Sequence, residues 1–277
     1  MTATSAPLSL LIVVPTLNSH TLLPRLLDSL QQQSWPHWRL LLIDGPSGPE
    51  HRLWLRQCCA AEPRCLWLEQ DPSEQGIYGA MNQGFTAASD PAGPANPADW
   101  LLFWGSDDWA AAPTVLAAAV AALETAGDRG LLPDLLVCRG RYADVNTAAL
   151  ARPTAFQPPG LLSAAAYRRA LLLGSTPPHQ ATLFGPGARR RLARYAPGFR
   201  LSADLDYFLQ LSRHSDLKVQ CLDLELVHMA AGGISGQQTQ RRLQEVRRAY
   251  RRAFGWRWWF PFLARYGRRL ASLFQVG

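Results

Sequence analysis

Residues 100–109 read WLLFWGSDDW, and the fold turns on this stretch. Trp100 to Trp104 form an unbroken run of large apolar residues, the pattern of a strand buried on both faces. Gly105 and Ser106 interrupt the run, and the adjacent acids Asp107 and Asp108 precede Trp109. Two carboxylates side by side where a buried strand emerges repel each other. Hard oxygen ligands of this kind suit Mg²⁺ or Mn²⁺, and a cation removes the repulsion. The same pair equally suits a turn that caps a helix starting near Pro113.

Working outward toward the N-terminus, residues 8–14 (LSLLIVV) predict a buried strand ended by Pro15-Thr16-Leu17-Asn18. Leu22, Leu23, Leu26, Leu27 and Leu30 recur at helical spacing, which predicts a helix to about Gln33. A second strand over 38–43 runs into the turn-rich Asp44-Gly45-Pro46-Ser47-Gly48. A helix over about 50–61 and a short strand over 65–69 follow. Strands alternating with helices predict an α/β protein with a Rossmann-type, mostly parallel sheet and right-handed crossovers. Ligands of such sheets bind beyond the carboxyl ends of the strands. Thr16, Asn18, Asp44, Asp107 and Asp108 all fall there. Asp44 alone also suits a helix cap; the convergence of three strand ends favours a site. On the other side of Asp44, residues 76–85 (GIYGAMNQGF) predict a helix entered through a glycine turn, and 91–97 a surface loop. Beyond Asp108, residues 112–123 predict an alanine-rich helix and 135–139 another strand.

Composition narrows the class. The chain has 277 residues, 48% hydrophobic and 18% charged, which excludes a disordered chain. Its five cysteines are odd in number and lack metal-ligand spacing, which suits a reducing compartment. No basic segment precedes the first apolar run, so no signal peptide is expected, and no run of 18 apolar residues predicts a spanning helix. A cytoplasmic place follows as the expectation. The net charge of +7 is uneven: residues 241–277 carry ten Arg and one Glu, leaving 18 basic and 20 acidic residues elsewhere. Basicity is therefore a property of the tail, and a general affinity for nucleic acid does not follow.

Taken in order, PTLN after one strand, IDGPS after the next, GIYGAMNQG and GSDDW resemble the family-2 glycosyltransferases of the GT-A fold. The likeness spans 8–235 and is greatest to the bacterial branch that builds exopolysaccharides such as colanic acid. It implies inverting transfer of a sugar from a nucleotide diphosphate sugar, a UDP- or GDP-sugar, to a glycan or lipid-linked acceptor in polysaccharide biosynthesis. By this match Pro15, Thr16 and Asn18 line the nucleotide pocket, Asp44 binds the base and Asp107 lies by the ribose. Asp108 holds Mn²⁺ or Mg²⁺ on the diphosphate, and Tyr78 and Asn82 belong to the donor side. A metal there offsets the charge of the leaving diphosphate without a proton. Two departures stand out. The family's IDGGSTDGT has Pro46 for its second Gly and Gly48-Pro49 for its later Thr-Asp; its Tyr-Asp-Ala-Met-Asn is here Tyr78-Gly79-Ala80-Met81-Asn82.

Residues 177–182 (PPHQAT) and 199–207 (FRLSADLDY) resemble the family's HQATFF segment and the start of its EDYDLWLRL-like helix. The usual Glu is Ala203, but the following acid is retained as Asp204. The resemblance makes Asp204 the general base that takes the proton of the acceptor hydroxyl; helix capping is its other reading, and Asp206 suits a first-turn acid. His179 falls on the acceptor side of the binding pocket, or in a structural place beside Pro177-Pro178. His228, before Gly232-Gly233, either completes the metal or diphosphate site or sits at the core edge.

A catalytic domain over 1–236 and a basic aromatic helical tail over 237–277 are expected. In the tail, Leu243, Val246, Tyr250, Ala253 and Phe254 share a helical face, with Arg241, Arg248, Arg251 and Arg252 off it. Trp256, Trp258 and Trp259 follow. Such a segment suits an anionic membrane surface on the cytoplasmic side, or packing on the catalytic domain. No nucleic-acid fold motif accompanies the arginines. Two other functions fit less of the chain. A sugar-phosphate nucleotidyltransferase normally has a glycine- and lysine-rich phosphate loop, whereas the sole lysine here is Lys218. A degenerate, membrane-bound sugar-binding module is the reading that Pro46, Gly79 and Ala203 motivate.

Overall fold

Strands and helices alternate as expected in the computed structural model, which describes residues 7–90, 100–144, 149–154, 156–231 and 238–274. Strands β1 (Leu10–Thr16), β2 (Trp38–Asp44), β3 (Cys65–Glu69) and β4 (Trp100–Phe103) are parallel and lie in the order β3-β2-β1-β4. Helices α1 (Leu23–Gln31), α2 (Pro49–Ala61) and α3 (Ile77–Ser89) connect them. The register sets Thr16 beside Asp44 and Asp44 beside Glu69, so β1, β2 and β3 end at one level, while β4 ends opposite Val13, three residues earlier. The expected loop at 91–97 lies outside the described residues.

Past β4 the sheet becomes mixed. The elements are β5 (Trp109–Ala110), α4 (Val115–Asp128), β6 (Leu135–Ala143), β7 (Leu150–Thr154), β8 (Gly160–Leu162) and α5 (Ala164–Leu172). A 3₁₀ turn (His179–Ala181) leads into β9 (Thr182–Phe184), α6 (Pro186–Arg191), α7 (Ala203–Leu211) and β10 (Val219–Ala230). Strand β9 runs antiparallel between β4 and β6, and β10 lies parallel to β6. β6 outruns its expected end at 139 because β7 and β10 pair with its far half. Trp109-Ala110 leaves the expected loop-to-helix path for the same kind of reason: it pairs with β10 as β5, and α4 begins only at Val115.

Alternate residues of each strand feed opposite faces. Leu10, Ile12, Val14, Trp100, Leu102 and Trp104 pack with α1, α2 and α4 on one side. Leu11, Val13, Leu101 and Phe103 pack with α3, α5 and α7 on the other. With both faces covered, these strands read as continuous apolar runs, which is why they were legible.

The tail begins with α8 (Thr239–Phe254), continues through a 3₁₀ turn (Gly255–Trp258) and ends in α9 (Trp259–Phe274). Val246, Ala249 and Tyr250 on α8 are buried in the same core as α3 and α7. Burying side chains such as Val246 and Tyr250 contributes about 1.5–3 kcal/mol each. The first helix of the tail is thus held by the sheet's own core, while Trp256, Trp259, Phe260 and Leu263 remain exposed. Among the described residues no helix is long and apolar enough to cross a membrane.

Candidate active site

The tips of β1 and β2 are tied to each other. Thr16 Oγ1 donates to Asp44 Oδ1 at 3.1 Å, and Ser47 Oγ donates to the same oxygen at 2.6 Å. Asn18 takes a left-handed backbone (φ 50°), which Asn tolerates better than most residues. Its N–H donates to Ser47 Oγ and its Oδ1 accepts from the Gly48 N–H at 2.8 Å. Gly48 then caps α2, and Pro49 occupies the helix start where a missing N–H costs nothing. The departure at Gly48-Pro49 is therefore an early helix start. Behind Asp44 lies the buried His51, with Nε2 3.1 Å from Asp44 Oδ1; burial above all lowers the pKa of this ring, against the pull of the Asp44 charge. Asp44 Oδ2 is buried and has no hydrogen-bond partner. An unpaired carboxylate oxygen is costly, and an N–H donor of a bound molecule would satisfy it. Pro15 is partly buried at the same tip.

Next to this tip, β4 ends in the acid pair. The Gly105 N–H donates to Asp108 Oδ2 at 2.6 Å, and the Asp108 N–H returns to the Gly105 carbonyl at 3.2 Å. A Cβ at Gly105 would meet Asp107 Oδ1 at 2.7 Å and Asp108 Oδ2 at 3.4 Å, so both carboxylates fold over this glycine. Burial raises the Asp108 carboxyl well above its usual range, opposed by the Gly105 N–H and reinforced by Asp107. Burial also raises Asp107. Among the described residues no group of three or more His, Cys, Asp or Glu is arranged to hold a metal. Two hard carboxylates still fit Mg²⁺ or Mn²⁺, which commonly take one or two protein acids plus substrate phosphates and water.

His228 on β10 is opposite Trp109 on β5, with its ring 5.6 Å from the indole, edge on. Its Nε2 lies 2.7 Å from Glu225 Oε1, and Arg141 holds the other oxygen of Glu225. The pairing therefore brings His228 next to the acid turn, with one ring nitrogen already engaged. Gly232 and Gly233, which follow it in the chain, lie outside the described residues.

Asp204, in the first turn of α7, is partly exposed and accepts a hydrogen bond on Oδ1 from the Tyr78 hydroxyl at 3.0 Å. Burial foremost, then the Asp204 charge, holds the Tyr78 hydroxyl in its protonated, donating form. The two residues are 126 positions apart, and α3 and α7 bring them together on one face of the sheet. Asn82, one turn after Tyr78, clasps the Tyr195 backbone: Oδ1 accepts from the Tyr195 N–H at 2.7 Å, and Nδ2 donates to its carbonyl and to Glu74 Oε2, each at 3.3 Å. His179 Nε2 lies 2.7 Å from the Tyr195 hydroxyl, and its ring stacks on Phe103. Burial lowers the His179 pKa, against the charge of Asp204. Asn82 and His179 thus stand beneath the site, joined through Tyr195. Asp206, the expected first-turn acid, is buried and paired with Arg252 of α8 at 2.6 Å.

Three contributors escaped the sequence. Tyr195 lies in an Arg-rich stretch without periodicity, and Ser47 read only as a turn residue. His51 sits in the first turns of a helix with nothing in the sequence to mark its burial. Gly79, read as a lost acid, has a packing reason. A Cβ there would run into the Glu74 carbonyl of the loop folded across it, while Gln70 holds the Glu74 and Gly76 carbonyls at 2.7 Å.

The family described as glycosyl transferase family 2 matches residues 11–156. Over 97 residues the chain is 35% identical to a PGL/p-HBAD biosynthesis glycosyltransferase of Mycobacterium bovis (strain BCG / Pasteur 1173P2). That match covers 35% of this chain and 34% of the relative, so about a third of the relative's length is spanned. Among solved structures, S. aureus TarS 1–349 in complex with UDP-GlcNAc is similar with a TM-score of 0.64 at 15% identity, covering 88% of this chain and 66% of that one. The mannosyltransferase PcManGT from Pyrobaculum calidifontis, in complex with GDP-Man and Mn²⁺, is similar with a TM-score of 0.57 at 15% identity, covering 90% and 65%. At these identities the two structures speak for the fold.

Proposed function

This chain belongs to glycosyl transferase family 2, and we propose that it transfers a sugar, with inversion, from a UDP- or GDP-sugar to a hydroxyl of a glycan or lipid-linked acceptor. The observation that carries the proposal is the acid pair, buried Asp108 and partly buried Asp107, folded over Gly105 one strand away from the tip that clasps Asp44. Asp44 binds the base through its unpartnered Oδ2, with Pro15, Thr16 and Asn18 shaping the pocket wall. Asp107 takes the ribose side. Asp108 holds Mn²⁺ or Mg²⁺, with His228 on the diphosphate side. The cation supplies positive charge to the departing diphosphate without a proton transfer. Asp204 accepts the proton of the acceptor hydroxyl as that oxygen attacks the anomeric carbon opposite the leaving group. Tyr78 occupies Oδ1 of Asp204, which leaves Oδ2 for the hydroxyl. Asn82 and His179 keep this floor in place through Tyr195. Solved relatives of the fold carry UDP-GlcNAc, or GDP-Man with Mn²⁺, which supports a nucleotide-sugar donor and a divalent cation.

The motif likeness to the colanic-acid-type exopolysaccharide branch supports a polysaccharide acceptor. It also favours work at the cytoplasmic face of a membrane. There the segment 237–277 would dock to anionic lipid through Trp256 (75% exposed), Trp259, Phe260 and Leu263 (60%). A cleft of roughly 360 Å³ lined by Gln244, Arg247, Arg248, Arg251 and Arg252 adds positive charge. Incubation with UDP- and GDP-sugars and either metal, read as nucleotide release and product configuration, tests the chemistry. Metal-dependent turnover with inversion is expected; nucleotide binding without turnover would establish a binding module instead. Co-sedimentation with anionic and neutral vesicles across a salt series tests the surface, and absent binding removes it.

A further inference from the structure

Helix α8 runs alongside the segment that carries the proposed base. Arg248 donates to the Gly198 carbonyl at 2.9 Å and to the Pro197 carbonyl at 3.3 Å, and its guanidinium lies 4.5 Å from the centre of the Phe199 ring. One turn earlier, the buried Glu245 receives three consecutive backbone N–H groups. Arg200 donates to Oε1 at 3.0 Å; Leu201 and Ser202 donate to Oε2 at 2.8 and 3.0 Å. Further along, Arg252 pairs with Asp206. Every residue from 197 to 202, Leu201 and its neighbours included, is therefore held by α8 through a backbone or ring contact. Asp204 follows two residues later.

Helix α7 has no side-chain cap of its own: its N-cap residue Ser202 makes no such bond. A carboxylate that gathers backbone N–H groups just ahead of a helix start makes charge-assisted hydrogen bonds and complements the positive end of the helix dipole. Glu245 therefore does from a distant helix what an N-terminal cap does locally. Its charge also reaches Tyr78, where it adds to the effects of burial and Asp204 in keeping the hydroxyl protonated.

We propose that Glu245 is a positioning residue for the transfer reaction: by holding the backbone of residues 200–202 it sets Asp204 against Tyr78 and the acceptor hydroxyl. The proposal rests on Asp204 being the base. It makes the start of the tail part of the catalytic apparatus, whatever its far end touches.

Glu245→Gln, Glu245→Asp, Glu245→Ala and Asp204→Asn in the full chain provide the test. Hydrogen–deuterium exchange is followed over 197–206, UDP affinity is measured with Mn²⁺, and nucleotide release is assayed from a panel of UDP- and GDP-sugars. Faster exchange confined to 199–206 is expected in Glu245→Gln, with UDP affinity unchanged. Nucleotide release should fall about tenfold or more, the loss expected of a hydrogen bond to a charged group. Glu245→Asp, which keeps the charge, should recover part of the rate lost in Glu245→Ala. Unchanged exchange in Glu245→Gln overturns the proposal on any donor. So does a parallel loss of UDP affinity and rate, which would mark a purely structural role. If Asp204→Asn keeps full rate, the base assignment falls and the proposal with it; if only the Glu245 variants keep it, the proposal falls alone.

Discussion

Asp44 and Asp108 are oriented by neighbours close in the chain or one strand away. Ser47 is three positions from Asp44, Thr16 faces it in register, and Gly105 is three positions from Asp108. Asp204 is oriented by Tyr78, 126 positions earlier, and its approach segment is held by Glu245, 43 or more positions later. One half of the site is built by strand ends, whose direction follows from the sheet. The other half is a helix start that depends on two other helices being in place. With Gly48-Pro49 in the loop, Thr16 and Ser47 still hold Asp44, whereas a helix start set by other helices is exposed to any change in their packing.

The largest effect should come from the strand-end half. Asp108→Asn is expected to take transfer below detection and to weaken Mn²⁺-dependent UDP binding, with Asp107→Asn milder. Titration calorimetry with UDP and Mn²⁺ reads this, and unchanged affinity in the Asp108 variant would break the division of labour. Asp204→Asn should instead leave UDP binding intact while lowering the transfer rate by about 10²–10⁴, the usual range for a positioned base. Loss of both together would show that the two halves are not separable.

Gly79→Ala sharpens the comparison from the packing side. Alanine inside a helix normally stabilises relative to glycine, but here the new Cβ meets the Glu74 carbonyl. A loss of about 1–3 kcal/mol is expected, the usual range for overpacking. Calorimetry or thermal melting decides it, and a raised Tm would show that the loop does not press on α3.

The smallest effect is on pH dependence. Because burial raises the Asp108 carboxyl, the folded chain holds more protons than the unfolded chain between the ordinary carboxylate range and the raised value. Without divalent metal, stability from this group should therefore decline as pH rises through that window, and be fully present below it. Mn²⁺ should flatten the decline by favouring the ionised pair. A melting series at several pH values, with and without MnCl₂, tests the sign; equal slopes with Asp108→Asn would remove Asp108 as the cause.

Much of the strand-end half was legible because its signals are short-ranged. An apolar run followed by a glycine turn and acids places those acids at the carboxyl end of a buried strand, and parallel neighbours bring such ends together. The Tyr78–Asp204 contact was not legible: both residues were singled out, but nothing in their spacing joins them. Likewise Asn82 and His179 carried donor- and acceptor-side assignments, and the structure ties Asn82 to the Tyr195 backbone and to Glu74, and His179 Nε2 to the Tyr195 hydroxyl. A sequence motif marks which residues occur near a site without saying which of them face it.

The amino-acid order by itself determined the alternation of buried strands and helices, the parallel sheet it implies and the placing of Thr16, Asp44, Asp107 and Asp108 at strand ends, because strand periodicity and turn residues act within a few positions. It also marked an amphipathic tail. Only tertiary structure decided that α8 docks its apolar face on the core shared by α3 and α7, and that Glu245 reaches the backbone before Asp204. Amphipathicity specifies that a face must be covered but not by what; the choice is made by shape and by unpaired backbone groups, which exist only once the sheet and α7 are assembled.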